Sequence, residues 1–368
     1  MDKPNDRRTC PYDSFPPSSW WSPSVAALPA AQVEPIGAVP FTIRPTDRIA
    51  TAGSCFAQEI GRYITNSGFT FLDAEPAPAC LTTEERRRWQ FGLFSARYGN
   101  VYTSTQLLQL AQRALGLFVS VENHWLDGRN GFIDPFRPSV SPGGASSLEE
   151  LLWDRDQHLS CVKWMIEQLD VMVFTLGLTE GWRSRVDGSV FPTCPGCGHG
   201  TFDPARYEPF NMTVRGVLED LEAFHALLKS INRQARIVLT VSPVPLVATS
   251  SGQHVLAATH YSKAVLRAAA GEFSSDKEDV CYFPAYEIIM GQYARGTYFS
   301  ANLRTVTREG VAHVMRCFFK MFAGAAPAEA SPPAGADRVP PIRVDVDDAL
   351  SIICDEEELQ ERYEKSRG

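Results

Sequence analysis

A serine with a strand on one side and a helix on the other is the residue of this chain best placed to act as a nucleophile. The β-prone run Arg48-Ile49-Ala50-Thr51-Ala52 stops at Gly53-Ser54, and a helical pattern begins at once with Cys55-Phe56-Ala57. At such a corner a hydroxyl can stand at the carboxyl edge of a sheet, with the unpaired N–H groups of the first helical turn directed at it. Acyl chemistry at serine uses that placement, together with a base for the hydroxyl proton and donors for the developing oxyanion. The same pair serves equally well as a turn glycine and a helix N-cap, so local chemistry leaves catalysis and capping both open. Cys55 is expected to turn into the packing between helix and sheet as a small apolar residue.

A second cluster, Cys194-Pro195-Gly196-Cys197-Gly198-His199, has the spacing of half a zinc site. A structural zinc needs four ligands, and the chain holds no second Cys-x-x-Cys. The motif therefore reads as a tight Pro-Gly turn carrying two thiols, and neither metal nor another cofactor is expected. The cysteines, nine in all, are scattered and odd in number, which suits free thiols in a reducing compartment.

The elements that must position these residues follow from periodicity. Short apolar runs at Arg48–Thr51, Asp170–Thr175 and Arg236–Ser242 read as strands, the last two as buried parallel ones. Helical patterns fall at Ala57–Ser67, Thr103–Leu117, Val214–Ile231, Ser262–Gly271 and Arg308–Met321. Alternation of this kind predicts a parallel sheet with helices on both faces, and ligands in such sheets gather beyond the carboxyl ends of the strands. The loops after residues 52, 176 and 242 should converge there.

The pentapeptide Gly53-Ser54-Cys55-Phe56-Ala57 resembles the signature of the GSCFA domain family. Further blocks agree in order: Phe94 to Thr103, Phe174 to Glu180, Leu239 to Pro245, Tyr261-Ser262-Lys263 and Tyr282 to Ile288. They span about residues 40 to 322. The family resembles the SGNH (GDSL-like) hydrolases, which implies a three-layer α/β/α sandwich of flavodoxin-like type with a mainly parallel sheet, and Ser54 as nucleophile. It also implies that the N–H of Ser54, Gly99 and a polar group in the third block receive the oxyanion. Here that block reads Gly177-Leu178-Thr179-Glu180 where the hydrolase pattern has Gly-x-Asn-Asp, so Thr179 offers a hydroxyl in place of an amide, and Asn100 is a compensating donor.

The base is the larger departure. Where SGNH enzymes carry Asp-x-x-His before the final helix, this chain has Asn302 and Thr305, and neither is a base near neutral pH. Seven histidines can be weighed as substitutes. His254, in the loop after the Ser242 strand, is the first choice, followed by His260 and then His313 inside the last helix; the remaining four read as structural or exposed. Glu287 or Glu180 could orient a histidine, or could equally pair with an arginine. Lys263 is a minor candidate.

Ordinary globular composition and a net charge of −8 argue against nucleic acid or an anionic membrane as partner. The absence of a signal-like or spanning apolar run predicts a cytoplasmic protein. The expected organisation is an irregular proline-rich arm over 1–40 anchored by Trp20-Trp21, one domain over 41–322, an Ala/Pro/Gly-rich linker over 323–341, and an acidic tail over 342–368. Three functions are weighed: a serine ester hydrolase or O-acyltransferase acting on O-acetyl groups of a carbohydrate or other small hydroxylated substrate, a catalytically altered relative that binds a glycan or ligand without turnover, and, third, a metal-dependent role centred on Cys194 and Cys197.

Overall fold

Side chains alternate from face to face along a strand. In this chain that alternation divides the core into two. Ala50, Ala52, Met172, Phe174, Leu176, Ile237, Leu239 and Val241 enter one buried cluster, while Ile49, Val171, Val173 and Val238 enter another. A strand run apolar on both faces must be covered on both, and the helices supply the two outer layers. Each aliphatic or Phe side chain fully buried in this way stabilises the fold by about 1.5–3 kcal/mol.

The computed structural model describes residues 10–128 and 131–323, together with Leu359, Tyr363 and Glu364. Its strands are β1 (Arg48–Gly53), β2 (Thr70–Phe71), β3 (Trp125–Leu126), β4 (Phe132–Ile133), β5 (Val171–Leu176), β6 (Glu180–Ser184), β7 (Val190–Phe191), β8 (Tyr207–Asn211), β9 (Arg236–Val241) and β10 (Val280–Tyr282). The helices are α1 (Cys55–Asn66), α2 (Thr83–Arg88), α3 (Ser104–Ala114), α4 (Leu148–Gln168), α5 (Val214–Ile231), α6 (Val255–Ser275), α7 (Ala285–Met290) and α8 (Arg308–Ala323). The main sheet has the order β10-β9-β5-β1-β2, and every pair in it is parallel. Helices α3, α4, α5 and α6 cover one face and α1, α7 and α8 the other. The protein is therefore a three-layer α/β/α sandwich.

Counted within the sheet, the strand order is 2-1-3-4-5, the flavodoxin-like winding, which reverses direction between its first and third strands. Here those are β1 and β5. The helices start where capping chemistry allows: Thr103 accepts from the Gln106 N–H at the head of α3, and Thr213 from Gly216 at the head of α5.

Several elements depart from the periodicity reading. Helix α6 starts at Val255, well before Ser262, because His254 caps it. Helix α4 and the antiparallel sheet β7-β6-β8 carried no clear signal; the sheet is an excursion between β5 and α5 held by long-range pairing. Trp20 and Trp21 do not anchor the arm, being 46% and 62% exposed, with Trp20 set edge-on to Tyr12. Val33 anchors it instead, buried to 2%, helped by the Arg316 guanidinium donating to Ala31 O and by the Glu34–Lys320 ion pair. Of the linker predicted over 323–341 only Ala323 is described, as the last residue of α8. The strand expected at Ile342 to Val346 lies outside the described residues, as does most of the helix expected over Asp355 to Lys365.

Candidate active site

The reversal between β1 and β5 brings two backbone corners into contact. Strand β1 ends at Gly53, whose φ of +143° belongs to the region that glycine alone adopts readily. A Cβ on Gly53 would lie 2.5 Å from Thr175 O and 2.7 Å from Thr175 Cβ, so the corner closes onto β5 only because the side chain is missing. Ser54 follows in extended conformation as the N-cap residue of α1, yet its hydroxyl makes no capping bond. Its Oγ is buried and has no hydrogen-bond partner. The capping explanation of Gly53-Ser54 is thereby removed: a buried hydroxyl without a partner stabilises nothing.

Gly177, at the end of β5, lies over Ser54, and a Cβ there would come within 2.9 Å of Ser54 Cβ and 3.2 Å of Tyr102 O. The second block completes the wall. Val101 N donates to Gly53 O at 2.8 Å, and Tyr102 O accepts from both Gly177 N and Leu178 N, at 2.9 and 3.0 Å. Helix α6 clamps the same loop: Ser262 Oγ accepts from Thr179 N at 3.0 Å, and the buried Lys263 Nζ donates to Gly177 O at 2.7 Å. Tyr102, Leu178 and Leu246 form a small apolar cluster with Val255 at this edge. Beside it opens a cavity of about 210 Å³ lined by Leu178, Glu180, Trp182, Cys194, Cys197 and Leu246, among others.

The loops after β1, β5 and β9 thus reach one edge of the sheet, with two differences from expectation. Ser54 is 3% exposed rather than standing clear, because the Gly177 loop and Tyr102 lie across it. Its backbone N–H is not open to an oxyanion either, since it donates to Thr175 O at 3.2 Å. Asn100 is buried, and its Oδ1 accepts from Gln58 Nε2 at 3.3 Å. Gly99 sits at φ +68°. The Thr179 hydroxyl is buried without a partner, as are those of Thr175 and Thr240, which are register partners on β5 and β9.

The base candidates are dispersed. His254 is exposed, and its Nδ1 accepts from Leu256 N at 3.2 Å as the cap of α6. His260 is exposed on the same helix. His313 is buried with its Nδ1 2.7 Å from Tyr298 Oη, and burial lowers its pKa. None of the three hydrogen-bonds to Ser54. Glu287 orients no histidine: Arg267 Nε donates to it at 2.5 Å and Tyr282 Oη at 2.8 Å. Glu180 accepts from Thr249 Oγ1 at 2.7 Å and Ser250 N at 3.0 Å, so it secures the loop beside the cavity. Asn302 and Thr305 bond to one another, with Asn302 Nδ2 donating to Thr305 Oγ1 and Thr305 N donating to Asn302 Oδ1, both at 2.9 Å. These bonds close a turn just before α8.

His158, expected to be structural or exposed, is structural. It is buried against Glu75, with Nδ1 at 2.7 Å from Oε2, inside a network of arginines and carboxylates reaching Arg97, Arg137 and Asp134. No local motif marks such a network, because its members come from separate loops and helix α4. Among the described residues no group of three or more His, Cys, Asp or Glu is arranged to hold a metal ion, and no helix is long and apolar enough to cross a membrane.

Ser54 is thus a buried serine at the switch point of a parallel α/β/α sheet, the edge at which such sheets gather ligands. The chain matches the model of the GSCFA family over residues 48–318, and it belongs to that family. No curated protein matches it. Six chains of solved structures do. One is the crystal structure of a Corynascus thermopiles (Myceliophthora fergusii) carbohydrate esterase family 2 enzyme with its carbohydrate-binding domain, 14% identical, covering 78% of this chain and 68% of that one at a TM-score of 0.30.

Proposed function

We propose that this protein is a serine-dependent acyl-ester enzyme of the SGNH type, a hydrolase or O-acyltransferase for O-acetyl groups on a carbohydrate or other small hydroxylated substrate. The observation that carries this reading is the Ser54 hydroxyl, buried at the β1/β5 switch point without a hydrogen-bond partner although it occupies a helix N-cap. Ser54 Oγ attacks the acyl carbonyl carbon, and its proton passes to a base. The tetrahedral oxyanion is received by the Asn100 amide and the Thr179 hydroxyl, which take the place of the engaged Ser54 N–H. Collapse releases the substrate alcohol, which regains the proton, and leaves an acyl-serine. Water or a second alcohol then discharges it. We assign the base to Lys263, the ionisable side chain bonded to the Gly177 carbonyl above Ser54, in preference to His254, which is occupied as a cap. Access requires the Gly177–Leu178 loop to move aside from Ser54.

The experiment compares wild type and Ser54→Ala on p-nitrophenyl acetate, with labelling by a fluorophosphonate probe. The expected outcome is probe on Ser54 and loss of at least about 100-fold in rate in the variant. Equal rates and no label would leave the second reading, a ligand-binding relative without turnover. The observation favouring that second reading is the Asn302–Thr305 turn where a base would stand.

A further inference from the structure

Asn100 and Val101 also border a small, partly open cavity of about 20 Å³, room for one water-sized occupant. Arg113 and Arg137 are among the residues that line it, and no acidic residue is. Arg137 is 2% exposed, with Nε on Asp134 at 3.1 Å and one terminal nitrogen on Asp154 at 2.5 Å. Its other terminal nitrogen has no hydrogen-bond partner, the Glu75 carboxylate being 4.0 Å away. Arg113 is stacked 3.5 Å above the Phe136 ring and forms no ion pair among the described residues. Gln106 also faces the cavity, and its Oε1 is taken by the N–H groups of Tyr102 and Thr103, which leaves an amide donor.

The surrounding charges are unevenly shared. Arg97, Arg137 and Arg155 are each within ion-pair distance of a carboxylate among Glu75, Asp134 and Asp154, with Asp73 beside Glu75, whereas Arg113 is within that distance of none among the described residues and meets Asp134 only at longer range. His158 adds no negative charge, and burial together with Arg137 lowers its pKa. Burial pushes the Arg113 pKa down to about 9, still a cation at neutral pH. The orphaned Arg137 nitrogen needs an acceptor, which a water could supply, but the Arg113 charge has no carboxylate within ion-pair distance among the described residues, and a water cannot offset it. We propose that this cavity is a binding site for one monovalent anion of halide size, chloride under ordinary conditions, held between Arg113 and Arg137. The bound ion would join helix α3 to the Phe136-Arg137 loop and brace the segment that carries Gly99 and Asn100.

The test uses the full chain. Thermal unfolding is followed in sodium chloride, sodium bromide and sodium gluconate at constant ionic strength, and crystals grown in bromide are examined for anomalous scattering. Chloride and bromide are expected to raise the midpoint in a saturable way by several degrees over gluconate, with an anomalous peak between the two guanidiniums. Arg113→Met, which retains an apolar stem against Phe136, should lose the halide dependence. Equal midpoints in chloride and gluconate, a map showing only water in the cavity, or a halide effect undiminished in Arg113→Met would each overturn the assignment. Should Arg113→Met fail to fold, the wild-type bromide map decides alone.

Discussion

Ser54 and Lys263 meet the same glycine, one packed where a Gly177 Cβ would stand and the other bonded to its carbonyl. For Lys263 two roles are physically distinct, since an ammonium clamps the Gly177 loop by donating a hydrogen bond, whereas a base must first give up a proton. Lys263→Arg separates them, because arginine retains the charge and the donor but does not deprotonate in proteins. If Lys263 is the base, Lys263→Arg and Lys263→Met both lose ester turnover by about 100-fold or more while fluorescence-monitored unfolding of Lys263→Arg stays near wild type. Recovery of activity in Lys263→Arg alone would reduce Lys263 to a clamp. His254→Ala should lower stability by about 1 kcal/mol through loss of a cap and leave turnover within twofold, as measured by the same ester assay and by urea unfolding.

At the scale of elements, the site depends on β1 and β5 approaching without a side chain between them. Gly53→Ala places a Cβ against Thr175 in a backbone conformation that alanine resists, so a loss of at least about 2 kcal/mol in urea unfolding is expected, with turnover falling further than stability. Much of this arrangement was legible beforehand. The apolar runs of β5 and β9 and the helical span Val214–Ile231 carry strong local signals, and the Gly53-Ser54 corner is punctuated by its own residue types. The sheet β7-β6-β8 was not legible, because its strands pair through register rather than through pattern, with Glu180 opposite Asn211. The arm shows the same limit: Trp20 and Trp21 carry the greater hydrophobicity, but Val33 is the residue that fits beneath α8, where Glu34 also reaches Lys320.

At the scale of the whole molecule, a buried charge network around Glu75 lies outside the proposed chemistry. Burial alone would raise the Glu75 carboxyl, but the His158 hydrogen bond and Arg137 outweigh it and hold the pKa at about 2. A carboxylate depressed from 4.5 in this way stabilises the fold above pH 4.5, and that stability, on the order of 3 kcal/mol, is lost as pH falls from there through about 2. His158, whose pKa is lowered, acts in the same sense: its neutral form is favoured in the fold, so acid below about pH 6.5 protonates the unfolded chain preferentially. Unfolding followed from pH 7 to pH 2 should show wild type losing stability over this range and Glu75→Gln starting lower and changing less. By itself the sequence determined the Gly53-Ser54 corner and the parallel α/β alternation, because each is written in neighbouring residue types and their period. Only the tertiary structure decided that Thr175 takes the Ser54 N–H, that Glu287 belongs to Arg267, that Lys263 bonds to the Gly177 carbonyl and that His158 is buried in a charged network. Those outcomes depend on which side chains arrive at one point from distant parts of the chain, and burial and hydrogen-bond satisfaction settle them only once the sheet has brought its loops together.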